Sequence, residues 1–315
     1  FIEHRFMSEF KYLFKFYKKY RWRFLVGVCF VVISNVFALY PAIFTRKAFD
    51  TAKMAIEDAQ TNSIVDYSSL NSTLLYFGLM LILFALLKGV FMFFMRQTII
   101  VMSRLIEYDL KNEIYTQYQK LSLSFYKRNQ TGDLMNRISE DVSKVRMYYG
   151  PVLMYGTNAV VLFIIIISYM YSVAPKLTLF SLVPLPILSV FIYKISDLIN
   201  KKSTQVQESL SDLSTYSQES FSGISVLKSF NIQHIIFNKF DNYAFQSFRN
   251  SLSLAKIQAW FFPIILFLIG LSNLIVIYIG GKEFIDGNIE IGVIAEFIIY
   301  INMLTWPVTL VGWVT

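Results

Sequence analysis

The 315-residue chain has a single cysteine, Cys29, two histidines, His4 and His234, and a charged fraction of only 16%. One cysteine excludes a disulfide framework within the chain and cannot build a metal site. The histidines are far apart in sequence and have no partners at ligand spacing, so they read as surface residues and no metal is expected. The charged fraction lies well below the roughly 25% usual in soluble domains. No G-x-x-x-x-G-K-S/T phosphate loop is present, and Gly280-Gly281-Lys282 has the wrong spacing and reads as a loop coincidence. The apolar runs contain no Ser/His/Asp, paired-Asp or H-E-x-x-H arrangement, so no catalytic residue is assigned. Barrel-like alternation of polar and apolar residues is missing too, which leaves helices as the way for a backbone to cross lipid.

What is abundant is apolar: 55% of residues are hydrophobic and 17% aromatic, with 30 Phe and 20 Tyr. Six apolar runs can be marked, at about 24–44, 74–95, 152–173, 177–195, 261–279 and 291–314. Each is close to the roughly 20 residues that cross a hydrocarbon core of about 30 Å. The net charge of +8 is not gathered on a soluble patch, which argues against nucleic acid. It flanks the runs instead. Residues 1–23, 104–146 and 194–256 hold twenty-two Lys and Arg, against five (Arg46, Lys47, Lys53, Lys176, Lys282) in the opposite connections. By the positive-inside rule both termini are then cytoplasmic, in an integral protein of a bacterial inner membrane type. No cleavage site follows the basic Lys11–Arg23 segment, so the first span is expected to remain as an anchor. Phe1–Phe6 precede Met7, which implies a remnant at the start or a true start upstream. Phe10, Leu13, Phe14 and Tyr17 share a helical face from which Lys11, Lys15 and Lys18 point away, the pattern of an elbow-like interfacial helix over residues 1–23.

Helix breakers are also scarce, in a patterned way. Between Gly89 and Gly132 lie 42 residues without Gly or Pro, between Pro186 and Gly223 another 36, and between Gly223 and Pro263 another 39. In these stretches the apolar run ends while helical periodicity continues into charged sequence, as at Val206, Leu210, Leu213 and Ser217. Forty helical residues span about 60 Å, twice the hydrocarbon thickness. The expectation is an all-α membrane protein of six transmembrane helices with two long cytoplasmic helical extensions, about 96–151 and 196–260. Each extension has one turn signal near its middle, Asn129-Gln130-Thr131-Gly132 and Ser222-Gly223.

At those turns the chain resembles the membrane domains of ABC exporters. Phe125-Tyr126, Thr131-Gly132-Asp133-Leu134, Arg137-Ile138 and Asp141-Val142 are similar to the family's first coupling segment. Gln218-Glu219-Ser220, Gly223-Ile224, Val226-Leu227-Lys228-Ser229-Phe230 and Phe240 are similar to the second. The six-span order, the Pro184/Pro186 pair and Trp306-Pro307 extend the resemblance over nearly the whole chain. It implies two paired membrane domains, identical or homologous, that exchange their fourth and fifth helices. It implies arm tips seated in nucleotide-binding domains, with Phe125, Tyr126, Thr131, Gly132, Asp133, Arg137, Asp141, Gln218, Glu219, Ser220 and Gly223 at the coupling contact. ATP and magnesium would belong to that partner domain, fused beyond Thr315 or encoded separately, and not to residues 1–315. The pathway would carry a hydrophobic or amphipathic compound, a drug or a lipid.

Ionisable and amide side chains inside spans are costly and usually face a partner or an aqueous cavity. Lys88, Arg96, Asn273, Glu296 and Asn302 are the cavity candidates, with Asn35 and Asn158 as further intramembrane amides. Lys88 and Arg96 either line a cavity favouring anionic amphiphiles, or respectively pair with an acidic neighbour and reach out to the interface. Two other readings stay open: an importer-type permease, which lacks support from any E-A-A…G loop, and a membrane scaffold.

Overall fold

A computed structural model describes residues 2–61 and 67–314, with side chains described for 15–58, 60 and 69–307. No strand occurs among the described residues, and the chain divides into two compact units, 1–180 with 276–307, and 181–275 with 308–315.

The first unit opens with α1 (Ile2–Thr61) and α2 (Tyr67–Lys120). Two short helices follow, α3 (Leu123–Arg128) and α4 (Thr131–Asn136). A π-helical turn at Arg137–Asp141, α5 (Val142–Met147) and a second π turn at Tyr148–Val152 lead into α6 (Leu153–Val173) and α7 (Pro175–Leu182). Pro151 sits in the second π turn, where a widened backbone relieves the clash of its ring with the preceding turn.

The sequence pattern explains why α1 and α2 pack. Phe30, Phe37 and Phe44 recur every seven residues on α1, and Phe77, Phe84 and Phe91 do the same on α2. Their rings interleave: Tyr40 stacks on Phe84 at 4.2 Å, Phe37 meets Phe91 at 5.4 Å and Phe44 meets Phe77 at 6.1 Å. Seven-residue spacing keeps such a seam facing its partner along antiparallel helices. Farther along α2, Met95, Ile99, Met102, Ile106 and Leu110 form a buried stripe at steps of three and four, covered by Val31, Val142, Tyr149 and Met154. That stripe runs from apolar into charged sequence without interruption. It is why α2 stays one helix for 54 residues, about 80 Å, well beyond the hydrocarbon thickness.

α1 also outruns its apolar segment at both ends. The polar connection expected over residues 47–69 is helical as far as Thr61, since no breaker follows Pro41. At the other end no break separates the basic segment from the first apolar run. The interfacial face expected at Phe10, Leu13 and Phe14 lies outside the described side chains. Lys15 and Lys19, one turn apart, point at α2: Lys15 Nζ is 3.1 Å from Glu113 and Lys19 Nζ 2.6 Å from Asp109, which also accepts from the Tyr20 hydroxyl at 2.9 Å.

In the second unit, α8 (Pro184–Ser222) starts with proline at its first position, where the missing N–H costs no helical bond. A one-residue joint at Gly223 leads to α9 (Ile224–Ser229), and α10 (Gln233–Ile285) returns. Bridges from Tyr216 to Ile236 O and from Asn250 to Gln205 O set α8 and α10 antiparallel. α10 carries on through Gly280-Gly281, so the expected loop there is helical; Gly280 is buried, and a side chain at it would strike Ile294. α10 from residue 276 onward and residues 291–307 of α11 (Ile291–Val314) belong to the first unit. Among the described residues, five helical stretches are long and apolar enough to cross a membrane, and a shorter apolar helix covers Ile291–Pro307.

Candidate functional site

The candidate residues fall mainly at three places. The first is the end of α2. Tyr126 Oη donates to Tyr118 O at 2.6 Å and Tyr118 Oη to Leu134 O at 3.3 Å, so two tyrosines tie α3 and α4 to the helix before them. Asn129 closes α3 with its amide on Phe125 O at 2.9 Å, and Thr131 and Gly132 open α4. Arg137 pairs with Asp133 at 3.1 Å, and Lys144 with Asp141 at 3.2 Å. Leu134 is buried beneath this tip, while Thr131, Gly132, Asp133, Arg137 and Asp141 are exposed and Phe125 half-buried. Behind the tip, Glu107 draws in Lys111 at 2.9 Å, Arg104 at 3.1 Å and Arg146 at 3.3 Å. Burial works to raise the Glu107 pKa, but the hydrogen bonds from Lys111 and Arg104 outweigh it and hold the carboxyl below its ordinary range.

The second place is the tip made by α8, α9 and α10. α9 ends in a Schellman arrangement: Asn231 takes φ 51°, Ile232 N donates to Leu227 O at 3.2 Å, and Asn231 N to Lys228 O at 3.3 Å. Asparagine tolerates this left-handed backbone better than most residues. Phe221, Ile224, Leu227, Ile236, Phe237 and Phe240 line an apolar groove of about 370 Å³ beside it. Phe221 and Phe237 are 74% and 66% exposed, which marks an uncovered patch and not a core. Gln218 lines the adjoining hollow, Glu219 is exposed, and the Ser220 hydroxyl is spent on Tyr216 O at 2.8 Å. The sequence marked Ser222-Gly223 as the turn and overlooked Asn231, whose role shows only in its backbone angle. It also passed over Phe221, Ile236 and Phe237, because α9 must fold back before these residues meet.

The third place is inside the first unit. Ser34, Asn35, Lys88, Met92, Met95, Arg96, Tyr155, Asn158, Leu162, Asn302, Met303 and Trp306 line a cavity of about 390 Å³. Three of the five cavity candidates, Lys88, Arg96 and Asn302, therefore meet, together with both intramembrane amides. Asn35 Nδ2 donates to Asn158 Oδ1 at 3.0 Å, and Ser34 Oγ to Lys88 O at 3.3 Å. Glu296 does not join them. It is fully buried, accepting from Arg46 Nη1 at 3.3 Å and Tyr300 Oη at 3.0 Å. Asn273 belongs to the second unit and is not among the residues lining this cavity. Beside the Glu296 pair, Asp50 accepts the backbone N–H of Gly292 at 2.7 Å, satisfying a free donor in the first turn of α11. Among the described residues, no group of three His, Cys, Asp or Glu is placed to hold a metal ion.

The multidrug resistance-like ATP-binding protein MdlA of Buchnera aphidicola is 30% identical over 205 residues, 65% of this chain and 35% of that protein. The probable multidrug resistance ABC transporter ATP-binding/permease protein YheI of Bacillus subtilis is 24% identical over 298 residues, 94% of this chain and 49% of that protein. A putative multidrug export ATP-binding/permease protein of Staphylococcus aureus is 25% identical over 293 residues, 93% of this chain and 50% of that protein. The chain thus spans between about a third and a half of the curated relatives it matches. Residues 24–308 match the ABC transporter transmembrane region. An integral membrane chain of long helices, it belongs to the ABC transporter transmembrane family.

Proposed function

We propose that this chain is the membrane-spanning part of an ATP-driven exporter, with six spans (about 24–44, 74–95, 152–173, 177–195, 261–279 and 291–314), two cytoplasmic arms (about 96–151 and 196–260) and both termini in the cytoplasm of a bacterial inner membrane. The observation that carries this reading is the pairing of overlong helices with compact ends. α2 and α10 run 54 and 53 residues, and each adjoins a short helix closed by side-chain or Schellman bonds. A stiff lever with a well-formed tip is what transmits rigid-body motion. The exposed apolar groove around Leu227 and Phe237 gives a nucleotide-binding domain a surface to seat on, and the α3–α4 tip offers Phe125, Tyr126 and the Asp133–Arg137 pair. ATP and magnesium act in that domain, a second membrane domain completes the pathway, and the cargo is hydrophobic or amphipathic.

The test uses the full polypeptide with its ATPase domain in proteoliposomes. Leu227→Asp places a charge in the groove, and an unpaired desolvated charge costs several kcal/mol. ATP-driven transport is expected to drop at least about tenfold while nucleotide affinity of the partner domain stays unchanged. Transport at the wild-type rate would remove the reading.

A further inference from the structure

The cavity of the first unit has an uneven charge: two cations line it and no carboxylate does. Among the described residues neither Lys88 nor Arg96 has an acidic group within 4.0 Å, whereas Arg46, Arg104, Lys111 and Arg146 are all paired. Lys88 is half-buried beside the Asn35–Asn158 amide pair, so of the two readings the acidic neighbour is not what holds it there. Arg96 is exposed and lines both this cavity and an adjoining one of about 410 Å³ formed with Ile100, Val101 and Pro151. The two cations stand eight residues apart on α2, about 12 Å along the axis. One small headgroup does not bridge that distance, so the two cations are separate points of contact. Half of the remaining lining is thioether or aromatic, Met92, Met303 and Trp306 among it, which adapts to an apolar body of varied shape. A volume of about 390 Å³ lies within the range of small-molecule sites.

We propose that this cavity binds amphiphilic organic anions: a carboxylate or phosphate headgroup meets Arg96 at the junction of the two cavities and seats on Lys88, with its apolar body against Met92 and Met303. A cation of the same shape is repelled twice, and a neutral analogue leaves Lys88 without a counter-charge. The inference rests on the exporter reading only in taking the cavity as part of a pathway.

The experiment measures binding of a fluorescent polyene fatty acid, cis-parinaric acid, and its methyl ester to the full-length protein in nanodiscs of zwitterionic lipid. The acid is expected to bind about tenfold more tightly than the ester, the scale of one hydrogen bond to a charged group. Lys88→Gln removes that preference while the ester binds as before, and Lys88→Arg keeps it. Arg96→Gln slows association of the acid at low salt more than it speeds release. Equal affinities for acid and ester in the unaltered protein would overturn the proposal, as would Lys88→Gln weakening both ligands alike. Inorganic phosphate displacing the acid as well as lysophosphatidic acid does would remove the need for an apolar body and defeat it too. Displacement by phosphatidylglycerol built into the nanodisc names membrane lipid as the source, and displacement by soluble fatty acid alone names a free amphiphile; both support the class. Acid-selective binding without ATP-driven transport would spare this inference and sink the exporter reading. Transport without acid selectivity would do the opposite.

Discussion

Arg46 and Glu296 are 250 positions apart in sequence, yet they pair at 3.3 Å within the first unit. Glu296 has no solvent access, and its charge is answered by Arg46 and the Tyr300 hydroxyl. Removing one member of a buried pair strands the other, at a cost of about 3 kcal/mol. Arg46→Ala is therefore expected to lower unfolding stability by about that amount. The double variant with Glu296→Gln should recover most of it, because an amide needs no counter-charge. Denaturant unfolding of the detergent-solubilised protein measures both, and equal stability of the single variant and wild type would contradict the account. Next to this pair, Gly292 has no room for a side chain: a Cβ there would collide with the backbone carbonyl of Arg46 and with Asp50. Residue types alone flagged Lys88, Arg96, Asn273, Glu296 and Asn302, since each is a polar group in or beside an apolar run. Sequence spacing could not separate Glu296 from the others, because its partner arrives from α1.

At the level of elements, the α1–α2 pair joins two kinds of contact: phenylalanine rings at seven-residue spacing along one part, and ion pairs along the other. Burial works to raise the Asp109 pKa, but the hydrogen bonds from Lys19 and Tyr20 win and hold it below its ordinary value of 3.8. A carboxyl depressed in the folded state stabilises the pair at any pH above that ordinary value, and the contribution is lost as pH falls below it through the lowered value. Spin labels at Lys18 and Tyr108 should report a narrow distance distribution at neutral pH that broadens only under strong acid. Asp109→Asn should broaden it at neutral pH already. A distribution indifferent to both changes would show that the rings alone hold the helices. Helix ends were less legible than helix bodies. The missing breakers predicted the long bodies, yet residues 47–61 and Gly280-Gly281 turned out helical because packing and local propensity outweighed polar composition and glycine.

For the whole molecule the outstanding prediction is orientation. Twenty-two of the 29 basic residues fall in the segments assigned to the cytoplasm. In a Cys29→Ser background, Asn288→Cys is expected to react with an impermeant maleimide on intact cells, and Ser225→Cys only after permeabilisation. The reverse pattern would invert the topology. The sequence by itself determined the class: apolar runs of spanning length, charge asymmetry and breaker-free stretches follow from lipid being unable to satisfy a bare backbone. It also located both tips, since Gly223 and Asn129 act on their immediate neighbours. Only the tertiary structure decided which of the buried polar groups are partnered. Glu296 is fixed by Arg46, whereas Lys88 faces open space beside two amides. Charge pairing depends on distance in space, and within a bundle helices that are remote in sequence supply the counter-charge. The cationic cavity was therefore foreshadowed by its residues, and separated from the structural ion pair only once α1, α2, α6 and α11 were in place.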